Sequence, residues 1–491
     1  MAPARIVSPD RLILLALGAA LAVAGAGTAG AQQVTQEWQR CSRSDVNPDD
    51  GIAACSALID GGREQGKNLA IAHFNRGNGW SAKGNPERAA ADFSETVKLD
   101  PTNAAAYHNR GSALQAANQF GPALADYDQA IRLSPDYANA YGNRGLLRLL
   151  FSRYDDAAAD FDQVLRLDPK NAFAFLNRGI TLRAKGDIDR ALADFDRAIT
   201  LDSDNPQPYF ERAAIRQARG QTDLAIADLA EVIRIQPKRV ETFVNRGVLY
   251  YAKGDYDRAL ADFNQALQIN PNRINVYNNR GAIFLARGRF DEAIADFGKE
   301  ISLNPTDPIA FTNRARAFVA KGDHDHAIAD AAEVIRLDPK NTFAYSLRGS
   351  SRHMKGDYDG AIEDYDRAID TDPKIAEVYA NRGRAWRAKQ QLDRAVADFS
   401  KAIELDPGNA EAYNSRAWTQ HLAGRNNDGL ADANKALELN PKNAYALDTR
   451  GQIYATLGQR DKAIADFRKA VELDPKLEDS RAALRKLQAA N

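Results

Sequence analysis

The sequence predicts an all-α chain, an α-solenoid of about twelve 34-residue helix-turn-helix repeats, and three observations carry that prediction. Proline stands at Pro101, Pro135, Pro169, Pro237, Pro271, Pro305, Pro339, Pro373, Pro407, Pro441 and Pro475, so every gap is 34 or 68 residues, with Ser203 at the one missing place. The text between the prolines also repeats: Tyr141-Gly142-Asn143-Arg144-Gly145 matches Tyr277-Asn278-Asn279-Arg280-Gly281, and Gly254-Asp255-Tyr256-Asp257 matches Gly356-Asp357-Tyr358-Asp359. Within a unit, apolar and small residues recur at helical spacing on two separate faces. A fixed period of this length marks a supersecondary unit that buries its apolar face only by stacking on the next. The 491 residues would otherwise suggest several globular domains, but residues 68–475 divide into twelve units without insertion or deletion.

The elements follow in chain order. Residues 1–31 read as a secretory leader: Arg5 and Arg11 flank the start, Leu12 to Val23 is a short apolar run, and Ala29-Gly30-Ala31 is a small-x-small cleavage site. The mature chain is expected to begin at Gln32, in a bacterial periplasm or outside the cell. The run is too short to span a bilayer comfortably, and no later segment approaches that length. Residues 32–67 form an N-terminal cap, with helices expected at Trp38 to Ser44 and Asp49 to Asp60 around an Asn47-Pro48 turn. Export places Cys41 and Cys55, the only 2 cysteines, in an oxidising space, so a disulfide is expected to staple this hairpin. Residues 476–491, with Leu477, Leu484 and Leu487 on one face, are the solvating end helix such an array needs.

Inside each unit a glycine such as Gly186, Gly254 or Gly322 supplies the left-handed turn that ends the first helix. Asp189 or Asp257, three residues later, is placed to cap the second helix, and proline stops it. Small residues at Gly111 and Gly145 and at Ala123 and Ala157 let the two helices approach, while Phe161, Phe195 and Phe263 fill the gap beside them.

This pattern of aromatic, small, aromatic, alanine, aromatic and proline resembles the tetratricopeptide repeat family over residues 68–475. The resemblance implies a superhelix whose first helices line a concave channel and whose second helices lie outside. One departure is that Arg occupies the same position in all twelve units (Arg76 to Arg450), with Asp sixteen residues on (Asp92 to Asp466). The family usually holds a bulky apolar residue at the arginine position. The two places lie at similar height on opposite helices and read as a repeated ion pair.

The residue before that Arg is Asn in eight units: Asn75, Asn109, Asn143, Asn177, Asn245, Asn279, Asn313 and Asn381. Asn109 lies about 200° around the helix from core-facing Tyr107, which directs these amides to the channel. The row resembles the asparagine ladder of the repeat domain of O-GlcNAc transferase, and that resemblance implies backbone-directed binding of an extended polypeptide. The alternative is that the amides bond neighbouring turns. Other channel positions are apolar early (Leu146, Leu149, Ile180, Phe210, Val244, Val248, Tyr251) and basic or aromatic later (Arg316, His353, Arg384, Arg387, Trp418, His421). Either the early stretch is a greasy binding stripe or it packs between units.

A balance of 65 Lys+Arg against 66 Asp+Glu disfavours a dedicated nucleic-acid binder. Catalytic, metal and cofactor sites are not expected. His324-Asp325-His326 is the best metal-like spacing, but it falls where other units carry a loop aromatic and a cap, and no phosphate-binding glycine motif occurs. The expected function is an exported protein–protein interaction scaffold whose channel binds an extended, acidic polypeptide segment. The alternative is a structural part of an envelope secretion or assembly complex that uses its convex surface.

Overall fold

The structure is a computed structural model, and its described residues are 36–489. The expected leader at 1–31 lies outside them. Among the described residues there are 27 α-helices and no strand, from Gln36–Cys41 to Glu478–Ala489. None is long and apolar enough to cross a membrane. The chain divides into two compact units, residues 1–249 and 250–491.

Within each unit the two helices of a repeat pack on each other, and each second helix packs on the following first helix. First helices of consecutive repeats also touch, as Pro308–Lys321 touches Thr342–Met354. Second helices make no comparable contact with one another, so the first helices form the inner layer.

The hairpin core is set by a glycine facing an aromatic ring. Phe297 is fully buried, and a Cβ at Gly281 would stand 2.8 Å from its ring. Burying such a ring contributes about 2–3 kcal/mol, and only glycine leaves it room; where Leu229, Ala331 or Ala433 replaces the ring, the facing residue is Ala213, Ala315 or Ala417. The expected Arg–Asp pair closes the same hairpin. Arg280 donates from Nε and Nη2 to the two carboxylate oxygens of Asp296, each at 2.7 Å. Its guanidinium also lies 5.5 Å from the Tyr277 ring. The same bidentate pair recurs from Arg76–Asp92 through Arg450–Asp466. Arg144, Arg178, Arg212 and Arg382 reach further, to Asp128, Asp162, Asp196 and Asp366 on the preceding second helix. One arginine therefore fixes helix register within a repeat and between repeats, with its charge matched by carboxylates.

The turn between helices follows the left-handed rule more widely than the glycines do. Gly254 and Gly322 have φ of 77° and 83°, and the three non-glycine residues at this position, Asn118, Ser152 and Gln390, keep φ of 59°, 57° and 60°. The capping expectation for Asp189 and Asp257 is corrected. The second helix starts directly after the turn, so Asp255 is the cap and accepts from Arg258 N–H at 3.2 Å. Asp257 and Asp189 sit in the first turn and pair with Arg287 (2.8 Å) and Arg219 (2.5 Å) at the end of the next first helix.

Helices flank the repeats at both ends of the described residues. The first cap helix is Gln36–Cys41, ending three residues before Ser44 because three-residue turns tighten the chain there. The second is Pro48–Asp60, and a disulfide joins Cys41 to Cys55, both fully buried. At the other end Leu477 packs against Leu437, Leu447 and Ala470, and Arg460 donates to the Leu487 carbonyl at 3.0 Å.

The seventh repeat breaks the pattern. In six repeats an asparagine caps the first helix, as Asn171 does by accepting from Ala174 N–H at 2.9 Å, and Asp307 does so in the eighth. Arg273 stands at that place here, Asn275 turns left-handed (φ 70°), and the helix begins only at Val276. Its cap comes from the second helix. Glu300, fully buried where other repeats hold Val164, Ala198 or Ala368, accepts from Asn275 N–H at 2.6 Å and Asn278 N–H at 3.3 Å.

Candidate functional site

On a first helix, residues at i, i+4, i+7 and i+11 share one face. In residues 1–249 the i+7 position of that face is buried at Leu146 and Val248 and half-buried at Asn78, Ser112, Ile180 and Ala214. Leu146, Leu149, Phe210, Val244 and Val248 are buried, and Ile180 packs into the neighbouring cores. Of the two alternatives for the early apolar stretch, packing between repeats is the one seen, and these side chains are covered by their own chain. Tyr251 stacks 5.6 Å from Tyr256.

From the eighth repeat the first position of the same face is exposed in every repeat, while its i+7 position is exposed at Arg316 and half-buried at Arg384 and Trp418. Ile309 (59%), Phe343 (52%) and Tyr445 (62%) stand exposed at its first position, and Arg316 and Glu411 are exposed beside them. Met354 and Leu422 continue it at the helix ends.

The asparagines sit on this inner layer and spend their amides locally. Asn109 donates to Asn78 Oδ1 and Asn313 to Asn278 Oδ1, each at 2.9 Å, across to the preceding first helix. Asn143 reaches Ser112 Oγ (3.2 Å) and the His108 ring (3.0 Å). Burial holds the His108 imidazolium below the usual histidine range. Asn177 donates to the Phe173 carbonyl at 2.8 Å, Asn75 lies 3.9 Å from Cys41 Sγ, and Asn381 accepts from Arg384. Asn245 is buried and Asn279 half-buried. Asn109, Asn143 and Asn313 stitch neighbouring first helices, while Asn177 and Asn381 bond within their own, because half-buried polar groups need partners.

The late cationic and aromatic residues converge better. Arg384, Arg387 and Trp418 line one cleft of about 840 Å³, together with Glu411, Asn414, Ser415, Lys442, Tyr445 and Asp448. It is built by the first helices Ala376–Ala388, Ala410–Leu422 and Ala444–Thr456. Arg384 pairs with Glu411 at 2.5 Å. Asp448 accepts from Ser480, and burial raises its carboxyl above the usual aspartate range. Among the described residues Arg387 has neither a carboxylate nor a hydrogen-bond acceptor. It lies 5.9 Å from the Phe399 ring, and burial followed by Arg384 makes its cationic form less favourable than in water. His353 is half-buried 5.3 Å from Tyr358, and burial, then Arg384 and Arg387, hold it below the usual histidine range. His421 bonds Asn426 Oδ1 at 2.6 Å with its ring 5.2 Å from that of Trp418, and Arg316 stands apart on the eighth repeat.

Glu411, Asn414 and Tyr445 escaped the sequence reading. Tyr445 had a signal, since it shares a repeat position with Ile309 and Phe343. Of the metal-like triplet, His326 bonds Asp323 at 2.8 Å and stacks 4.9 Å from Phe318.

Tetratricopeptide repeat models match residues 76–138, 108–172, 143–206, 278–342 and 347–410, and related models match 240–273, 399–431 and 444–477. No curated protein matches. Similar solved structures include a tetratricopeptide repeat protein from Parabacteroides merdae, at 21% identity over 51% of this chain and 98% of that one, TM-score 0.43. They also include the Cut9–Hcn1 hetero-tetramer of the APC/C, at 14% identity over 92% and 97%, TM-score 0.42. A third is YrrB, described as a TPR protein with an unusual peptide-binding site, at 26% identity over 41% and 99%, TM-score 0.34. With these matches spanning more than half its length, and with stacked helical pairs throughout the described residues, the chain belongs to the tetratricopeptide repeat family.

Proposed function

We propose that this protein–protein interaction scaffold holds an extended segment of a partner protein along the first-helix face of its eighth to twelfth repeats. The observation that carries the reading is the exposure of Ile309, Phe343 and Tyr445 at a first-helix position whose counterparts Asn139, Phe173, Gln207 and Glu241 in residues 1–249 are half-buried, although Ile71 in the first repeat is exposed there too. Large apolar side chains left in water beside a cleft are what a partner covers. The preferred segment is acidic, because Arg316 and Arg387 bring positive charge that no described carboxylate on this face neutralises. The binding is non-catalytic. Export is supported by Arg5, Arg11, the Leu12 to Val23 run and Ala29-Gly30-Ala31, and it suits a chain whose 2 cysteines form a disulfide.

Photo-crosslinking tests the face. A benzophenone side chain placed at Phe343 or Tyr445 should crosslink a partner in native extracts, and changing Arg316, Arg384 and Arg387 together to Glu should abolish the crosslink. Crosslinks confined to second-helix positions such as Arg367 or Lys401 would move the function to the outer surface and refute the reading. Fractionation with N-terminal sequencing checks export, with Gln32 expected as the first residue.

A further inference from the structure

The repeats allow one arginine to be compared with another at the same place. Arg183 and Arg387 occupy equivalent positions six repeats apart, near the end of a first helix. Arg183 is neutralised from the next repeat, where Glu211 lies 3.0 Å from it and is itself buried. The residue equivalent to Glu211 in the cleft is Ser415, also buried. So the arginine is kept while its carboxylate is lost. Of the two carboxylates lining the cleft, Glu411 is taken by Arg384 at 2.5 Å and Asp448 accepts from Ser480. Beside Ser415, the buried side-chain oxygen of Asn414 has no hydrogen-bond donor. A half-buried guanidinium and a buried amide oxygen without partners each cost stability that a complementary ligand recovers.

Resting on the proposed binding face, we propose that Arg387 and Asn414 form a two-point site for an acidic residue of the bound segment. The carboxylate fills the place that Glu211 fills beside Arg183. A backbone N–H of the same segment donates to Asn414 Oδ1. Trp418 and Tyr445 line the same cleft and cover the neighbouring side chain of the segment.

The test uses the full chain and fluorescein-labelled dodecapeptides of Gly and Ser, carrying one Trp and, two to four residues on, either Glu or Gln. Both ends are blocked, and a third series carries Gln with a free terminal carboxylate. Fluorescence anisotropy should show the Glu series binding about tenfold or more tightly than the blocked Gln series, the range for a charge-assisted bond. Arg387→Gln should bring the Glu peptides to the Gln level. Ser415→Glu should do the same without loss of thermal stability, because it restores the internal pair seen at Arg183–Glu211. Asn414→Leu should weaken both series alike. If the free-carboxylate series matches the Glu series, the carboxylate comes from a chain end. Equal binding of Glu and Gln peptides, a Glu preference that survives Ser415→Glu, or no binding by any peptide overturns this site. Crosslinks from Phe343 and Tyr445 that persist in those cases leave the binding face itself standing.

Discussion

Replacing Glu300 tests the account of the irregular seventh repeat. Glu300→Ala removes the acceptor of two backbone N–H groups, Asn275 at 2.6 Å and Asn278 at 3.3 Å, and nothing else in the repeat can replace it because Arg273 has displaced the usual asparagine cap. Loss of a cap costs about 1 kcal/mol. A half-buried N–H left without a partner at Asn278 adds about 1 kcal/mol. Relief of a buried carboxyl offsets part of this, leaving roughly 1–2 kcal/mol of local destabilisation. Repeat arrays need not unfold in one step, so the assay is amide hydrogen exchange, read by mass spectrometry over residues 271–286. Exchange there should speed up about 5- to 30-fold, since 1.4 kcal/mol is tenfold, with little change in repeats nine to twelve. The pH dependence has a definite sign. Burial outweighs the two backbone donors and holds the Glu300 carboxyl above the usual glutamate range, and Asp307 and Asp296 push the same way. The folded chain then binds this proton more tightly than the unfolded chain. Its stabilising contribution is complete below the ordinary glutamate pKa and declines as pH rises through the raised folded value. The stability advantage of wild type over Glu300→Gln should therefore shrink from pH 4 to pH 7. Unchanged exchange in Glu300→Ala, or an advantage that grows with pH, would refute the capping role.

Three further outcomes are expected. Ser152→Gly and Gln390→Gly remove side chains from left-handed backbone (φ 57° and 60°), and each should stabilise the chain by roughly 0.5 kcal/mol after the added freedom of the unfolded glycine is counted; a lower urea midpoint would contradict this. Asp296→Ala leaves Arg280 partly buried without its bidentate partner and should cost about 2–3 kcal/mol, less than a fully buried pair because the arginine keeps some contact with water; adding Arg280→Leu should recover most of the loss, and a purely additive double variant would count against the pair. Reducing the Cys41–Cys55 bridge, which closes a loop of sequence separation 14, should loosen the N-terminal hairpin by about 3 kcal/mol; proteolysis confined to residues 36–65 is the measurement, and indifference to reductant is the contrary result.

Much of this molecule is written in its repeat. The 34-residue proline period, the small residues at Gly111 and Gly281, the Arg–Asp spacing and the helical hairpin all follow from local rules and nearest-neighbour packing, since each repeat touches only its neighbours. The candidate cleft was half legible: Arg384, Arg387 and Trp418 were marked by helical phase, but that they share one cleft with Glu411, Asn414 and Tyr445 is decided only once their three first helices pack side by side. Tertiary structure alone decided which stretch of the inner face is open. The same repeat position is buried at Val248 and exposed at Arg316, because exposure depends on how closely successive first helices approach, which a single repeat does not encode. It also decided the fate of the asparagines. Their phase placed them on the inner layer, but whether an amide meets a ligand or the next helix depends on the gap between helices, and for Asn109 and Asn313 that gap is one hydrogen bond wide.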